Sequence, residues 1–100
     1  MKDVKAGIKF DQKKRRFSLF PVVALKAIVD VLEYGAQKYE PDNWRKVPDA
    51  RKRYYDAAMR HLTDWWGGET HDPESGLHHL AHLGCNAVFL LTFELEGYPK

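Results

Sequence analysis

Residues 69–82 concentrate side chains that can bind a metal ion or move a proton. This stretch, ETHDPESGLHHLAH, contains three carboxylates and four of the chain's five histidines. Hard divalent cations prefer carboxylate oxygens, and histidine nitrogens suit transition metals. The same residues could instead form a polar turn, in which Asp72, Glu74 and Ser75 cap the helix that follows.

Amphipathic helices must position these residues. The segment from Pro21 to Glu40 carries apolar residues at helical spacing, and Pro41 ends it. A second helix is predicted from about Ala50 to Trp66, where a Gly-Gly pair follows, and a third from near Ser75 to about Glu96. The predicted buried face of the first helix is formed by Val22, Leu25, Val29, Leu32 and Ala36.

These patterns predict an all-α fold, a small bundle of about three main helices. The sequence shows no alternating strand pattern and no internal repeat. Its 100 residues fit a single domain, 1–100, with a basic arm over residues 1–19. A core of this size gives only marginal stability. Apolar surface would also remain exposed to solvent around Trp65, Trp66, Phe89 and Phe93. We therefore expect a homo-oligomer, a dimer or larger.

Polar residues fall on the predicted buried faces of all three helices. His79, His82 and Asn86 lie within about 60° of one another on the third helix. His61 lies in the apolar arc of the second helix, and Glu33 borders the buried face of the first. Burying such groups without partners is costly, and a shared metal ion would satisfy them together.

Each of these residues also has an ordinary explanation. A lone His61 is more often a core histidine hydrogen-bonded to a neighbour, and His79 with His82 could form a polar network between helices. Their coincidence at one end of a small core favours a site. The predicted metal ligands are Glu33, Glu69, Asp72, Glu74, His61 and His82. The predicted catalytic residues are Glu33, Glu69, Asp72, Glu74 and His79.

Several other kinds of protein have little support. A single cysteine, Cys85, allows no intrachain disulfide, and the apolar run at residues 87–91 is too short to cross a bilayer. The first twenty residues lack the apolar core of a signal peptide, so we expect a cytoplasmic protein without a membrane partner. A net charge of +2 is too small to argue for nucleic acid, which is not the expected partner. HExxH, CxxC, P-loop and GxGxxG patterns do not occur.

Four stretches together resemble the phage dATP/dGTP diphosphohydrolases, small all-α proteins related to the MazG-like nucleoside triphosphate pyrophosphohydrolases. They are KFDQKKRRFSLFP (9–21), EYGAQKY with NW (33–44), RHLTDWWGGETHDPESG (60–76) and HLAHLGCNAVFLL (79–91). The sequence departs from the family pattern in the arm, where Lys13 replaces the usual Gly and Arg15 the usual Pro. The nearest matches to the acidic MazG motifs are Asp30 with Glu33 and Glu69 with Asp72.

The resemblance implies hydrolysis of a purine deoxynucleoside triphosphate to the monophosphate and pyrophosphate, assisted by Mg²⁺ or Mn²⁺, in phage nucleotide metabolism. Because the stretch is rich in histidine, another divalent transition metal is an alternative to Mg²⁺ or Mn²⁺. We expect basic residues to contact the phosphates and aromatic rings to stack on the base. Asparagines are expected to hydrogen-bond to the edge of the base. The corresponding candidates are Lys14, Arg16, Lys38, Tyr39, Asn43, Trp44, Arg60 and Asn86. The alternative is a non-enzymatic helical module whose basic arm binds nucleic acid or a protein.

Overall fold

Three α-helices form the computed structural model of the chain, which describes residues 6–99. They are α1 (Val22–Lys38), α2 (Ala50–Trp66) and α3 (His79–Glu96). Short 3-10 helices cover Phe17–Leu19 and Asn43–Lys46. Within the described residues, β-type pairing is limited to one isolated bridge between His71 and His78. The predicted all-α class is confirmed.

Helix α3 is the centre of the bundle because both other helices pack on it. Its side chains Ala81 and Cys85 form the buried cluster with Val31 of α1. Gly84 lets α1 approach closely, since a Cβ at this position would lie 2.8 Å from Cδ1 of Ile28. None of the helices in residues 6–99 combines the length and apolar character that a bilayer-spanning segment requires.

A second packed layer is aromatic and lies toward the C-terminal end of α3. Trp44 stacks on Phe89 with a centroid distance of 4.4 Å, and Tyr54 packs against Phe89 and Phe93. The hydroxyl of Tyr54 donates to the carbonyl oxygen of Trp44 at 3.0 Å, which fixes the 3-10 segment to α2. Phe93 is buried, so the prediction that it lies on an open apolar surface is wrong. Trp66 is 81% exposed, as expected.

The predicted buried face of α1 is wrong for its first half. Val22, Leu25 and Val29 are exposed, whereas α1 turns Ile28 and Val31 toward α3. The helix carries apolar residues on both sides, so the periodicity alone does not identify the side that meets α3. Glu33 is consequently exposed rather than at the border of the core.

The start of α3 also differs from the prediction. The helix begins at His79, and the ring of His78 caps it by accepting a hydrogen bond from the Leu80 amide at 3.0 Å. Residues near Ser75 belong instead to a compact turn, described below.

Residues 1–5 of the predicted arm (1–19) lie outside the described residues, and residues 6–19 are exposed throughout. Lys13 has a positive φ of 69°, and the amide of Lys14 donates to the carbonyl of Asp11 at 3.1 Å. Lys13 thus occupies the left-handed region of the backbone, which glycine adopts without strain.

Candidate active site

The loop between α2 and α3 is held in one shape by its own polar groups. The amide of Asp72 donates to the carbonyl of Leu77 at 2.8 Å, and the amide of His79 to that of Thr70 at 3.0 Å. The Ser75 amide donates to Oδ2 of Asp72 at 2.9 Å, an arrangement typical of a turn opened by aspartate. This turn returns the chain so that Glu69 and Asp72 lie beside the first turns of α3.

Three side chains from three segments form a continuous hydrogen-bonded row. His79 Nε2 lies 2.7 Å from Oε1 of Glu69, and His79 Nδ1 lies 2.9 Å from Nδ1 of His61 on α2. His79 is only 1% exposed, whereas His61 is half-buried. The row therefore runs from an exposed carboxylate, through a buried imidazole, to an imidazole at the edge of the core.

Hydrogen-bonding rules assign the protons of this row when both rings are neutral. A carboxylate can only accept, so His79 carries its proton on Nε2 and keeps a lone pair on Nδ1. His61 must then donate from Nδ1 to His79. Glu69 thus orients the His79 ring and presents its Nδ1 lone pair toward His61, in the manner of carboxylates that support metal-binding histidines.

His82 completes the cluster from the next turn of α3. Its ring stacks on that of His61 at 4.4 Å between centroids, and its Nε2 lies 2.7 Å from Oγ of Ser75 and 3.9 Å from Oδ2 of Asp72. The Asn86 side chain donates from Nδ2 to the carbonyl of His82 at 2.9 Å. His61 and His82 are therefore adjacent, with Asp72 close by.

The surroundings keep the two stacked imidazoles neutral and the aspartate ionised. Burial lowers the pKa of His82, and burial together with the neighbouring His82 lowers the pKa of His61. Burial acts in the opposite sense on Asp72, but hydrogen bonds from Ser75 outweigh it and lower the pKa of Asp72. Neutral imidazoles and an ionised carboxylate are the forms that bind metal ions.

The described residues contain two overlapping groups of potential metal ligands. One consists of His61, Asp72 and His79, and the other of Asp64, Glu69 and His79, each with donor atoms within 4.8 Å of one another. Asp64 was missed by the sequence reasoning. A signal was present, because Asp64 lies three residues after His61 and so on the same side of α2.

An open groove of about 870 Å³ adjoins the cluster between α1, α2 and the 3-10 segment. His61 and His82 line one part of it. Most of the predicted substrate-binding residues also line it: Lys38, Tyr39, Asn43, Trp44, Arg60 and Asn86. Tyr34 lines it as well and was missed, because its position on the inner side of α1 depends on which side meets α3.

Other predicted residues lie apart from the cluster. Glu33 is exposed on the groove wall, and Glu74 forms a short ion pair with Lys38 that lowers the pKa of Glu74. Lys14 and Arg16 lie on the exposed arm and do not line the groove. The Trp44 ring is stacked on Phe89, and the Arg45 guanidinium lies 4.4 Å from its centroid, so Trp44 mainly supports the wall.

We expect the metal-free protein to lose stability as the pH falls through the histidine range. His61 and His82 have lowered pKa values, so the unfolded chain takes up protons first. Their contribution is complete above the ordinary histidine pKa of about 6.5 and declines below it. Melting temperatures in EDTA should therefore fall between pH 7.5 and 5.5. The exposed His71→Gln variant should show the same slope, and a flat profile would contradict the assignment.

Comparisons with known proteins show which family the chain belongs to. The family model described as "dATP/dGTP diphosphohydrolase, N-terminal" matches residues 4–100. A protein of Salmonella phage PMBT28 named dATP/dGTP diphosphohydrolase is 38% identical over 84 residues. The match covers 84% of this chain and 28% of that protein, so the chain spans little more than a quarter of its relative's length. No solved structure matches the chain. The chain belongs to the dATP/dGTP diphosphohydrolase N-terminal family.

Proposed function

We propose that this chain hydrolyses purine deoxynucleoside triphosphates to the monophosphate and pyrophosphate with a divalent metal ion, in phage nucleotide metabolism. The observation that carries the proposal is the position of the cluster of His61, Asp72, His79 and His82. Through His61 and His82, the cluster lines a groove whose walls also present Lys38 and Arg60. The name of the phage relative supports this substrate class.

The donor set fits a metal ion, and Mn²⁺ or another transition metal better than Mg²⁺. The Nδ1 atoms of His61 and His79 lie 2.9 Å apart. This separation is short enough for both nitrogens to reach one ion through bonds of about 2.1 Å. The third donor is the carboxylate of Asp72. A set of two nitrogens and one oxygen is typical of transition metals, whereas Mg²⁺ favours oxygen ligands.

In the proposed mechanism His61, His79 and Asp72 would hold the ion, and Glu69 keeps the proton of His79 on Nε2. A bound ion would neutralise phosphate charge and activate a water molecule for attack at phosphorus. Both Nδ1 lone pairs would be needed to bind the ion, so the proton that His61 donates from Nδ1 would have to move to Nε2 of the same ring, which keeps His61 neutral. The buried position of His79 keeps its ring in place while this exchange occurs.

The groove residues bind the remainder of the substrate. Lys38 and Arg60 would contact phosphate oxygens and stabilise the charge that develops on the leaving pyrophosphate. Lys38 pairs with Glu74, and both side chains are well exposed, so exchange of this partner for phosphate is inexpensive. Tyr39 is 64% exposed and offers a ring face to a base. The NH₂ group of Asn86 donates a hydrogen bond to the backbone carbonyl of His82. Its Oδ1 atom can therefore accept a hydrogen bond from a substrate N–H or O–H.

Phosphate release from dGTP and dATP, measured with and without added inorganic pyrophosphatase, tests the proposal. Phosphate should appear with Mn²⁺ only when pyrophosphatase is present, because the chain itself releases pyrophosphate. Phosphate release without pyrophosphatase would indicate cleavage at a different bond. A lack of turnover of both nucleotides with Mn²⁺ and with Mg²⁺ would contradict the proposal and favour the non-enzymatic basic-arm module.

A further inference from the structure

The carboxylates that line the groove differ in their surroundings. Glu40 and Asp42 each form an ion pair with a nearby Lys or Arg, and Glu33 is exposed on α1. Asp56 on α2 is half-buried in the groove wall, and none of residues 6–99 gives it a hydrogen bond or an ion pair. Its oxygens are not enclosed, so they face the open space of the groove. Asp56 is therefore an acceptor that a ligand can reach.

Asp56 belongs to a charged stripe of α2 that leads to the histidine cluster. Arg53 and Arg60 flank it about one turn away on either side, and both also line the groove. The three residues lie within about 60° of one another around the helix. Both arginines stand at the spacing for an ion pair with Asp56, yet neither makes one in the described part of the chain. All three charges are thus available to one ligand.

The hydrogen-bonding pattern of the bases decides which ligand suits Asp56. An ionised carboxylate only accepts hydrogen bonds, so the edge that faces it must donate. Guanine places two donors side by side, N1–H and the 2-amino group, which the two oxygens of one carboxylate can accept together. Adenine and cytosine each place a lone pair beside their amino group, and thymine has one donor between two carbonyls. Arg53 carries the donors that O6 of guanine accepts.

We propose that Asp56 recognises guanine by accepting hydrogen bonds from N1–H and the 2-amino group, so that dGTP binds in preference to dATP. This assignment rests on the proposed function, which puts the α-phosphate near His61. The five residues between Asp56 and His61 correspond to a rise of about 7.5 Å along α2, which a sugar and a purine ring can bridge. Arg60 precedes His61 and lies on the phosphate side of the base.

The burial of Asp56 sets the size of the expected preference. A fully buried group that loses its hydrogen-bonding partner discriminates by about 10⁴-fold or more. Asp56 is only half-buried, so water replaces part of what adenine cannot offer. Each hydrogen bond to a charged group is worth about tenfold or more in affinity, so we expect dGTP to bind about 10- to 100-fold more tightly than dATP.

Calorimetric titration with the α,β-imido analogues of dGTP and dATP in Mn²⁺ tests this preference without turnover. These analogues cannot be hydrolysed between the α- and β-phosphates, so the Kd reports recognition alone. The dGTP analogue should bind about 10- to 100-fold more tightly than the dATP analogue. Equal Kd values, tighter binding of the dATP analogue, or binding of neither analogue would overturn the assignment.

The Asp56→Asn variant tests the residue itself by a change of preference. Its amide keeps one acceptor but turns a donor toward the 2-amino group, so the Kd of the dGTP analogue should rise about tenfold or more. Xanthine has N1–H beside the O2 acceptor, which matches that amide. Deoxyxanthosine monophosphate should therefore displace the dGTP analogue from the variant at lower concentration than from the wild type.

Asp49→Asn is the matched control for the same chemical change on the same helix. Asp49 is exposed at the start of α2 outside the groove, and asparagine tolerates its left-handed backbone. It should keep the wild-type ratio of the two Kd values. A folded Asp56→Asn variant, judged by circular dichroism, that also keeps this ratio would overturn the role of Asp56.

Failure of this proposal differs from failure of the proposed function. Hydrolysis of dGTP and dATP with equal Kd values for their analogues would remove the guanine assignment and leave the hydrolase. Preferred binding of the dGTP analogue without turnover of either nucleotide would leave Asp56 as a guanine-recognising residue in a protein that is not a hydrolase.

Discussion

The Asp72→Asn variant is expected to fold like the wild type but to lose at least about 100-fold of its Mn²⁺-dependent turnover. An asparagine oxygen can still accept the hydrogen bond from the Ser75 amide, so the turn is retained. It carries no charge, so it is a poor ligand beside His61 and His79. Mn²⁺ should raise the melting temperature of the wild type but not that of this variant.

The Ser75→Ala variant separates metal binding from support of the turn. Ser75 Oγ accepts from the Leu77 amide at 3.1 Å and contacts His82, but it belongs to neither group of potential ligands. Loss of this local bond should cost about 1 kcal/mol of stability while the Mn²⁺-induced rise in melting temperature persists. Full turnover of Asp72→Asn, with the Mn²⁺ shift intact, would show that residues 69–82 form a polar turn and not a metal site.

The helices were predictable because local signals agree at most of their ends. Pro21 precedes α1, and the Gly67–Gly68 pair follows α2, as the pattern of apolar residues requires. The start of α3 was misplaced by about one turn for a physical reason. Asp72 and Ser75 are good helix-capping residues, but they hydrogen-bond to each other in a turn that closes before the helix begins.

The orientation of α1 could not be read from periodicity because two of its sides are apolar. Periodicity selected the side with Val22, Leu25 and Val29, whereas α3 receives Ile28 and Val31. Gly84 on α3 is what permits the close approach of Ile28, and such complementarity between distant positions is invisible in a single sequence. The side that periodicity selected is an exposed apolar surface of α1.

At the candidate site, the sequence predicted which residues come together better than it predicted the hydrogen bonds between them. Helical spacing placed His79, His82 and Asn86 on one face, and the structure has all three buried there. The pairing of His79 with both Glu69 and His61 depends on how the loop returns and on how α2 packs against α3. Those relations are tertiary, so the order of the hydrogen-bonded row does not follow from local pattern, whereas the i, i+3 spacing of His61 and Asp64 does.

Replacing Lys38 by alanine is expected to raise the KM for dGTP about tenfold or more, while Lys52→Ala leaves it unchanged. Lys38 lines the groove, whereas Lys52 is exposed on α2 away from it. A charge-assisted contact to phosphate is worth about 1.5–3 kcal/mol, which corresponds to at least a tenfold effect. Glu74→Gln provides the complementary change, because it frees Lys38 from its ion pair and should lower the KM. Steady-state kinetics of the three variants test the role of Lys38 in substrate binding. Equal KM values for Lys38→Ala and the wild type would show that Lys38 is only a surface partner of Glu74.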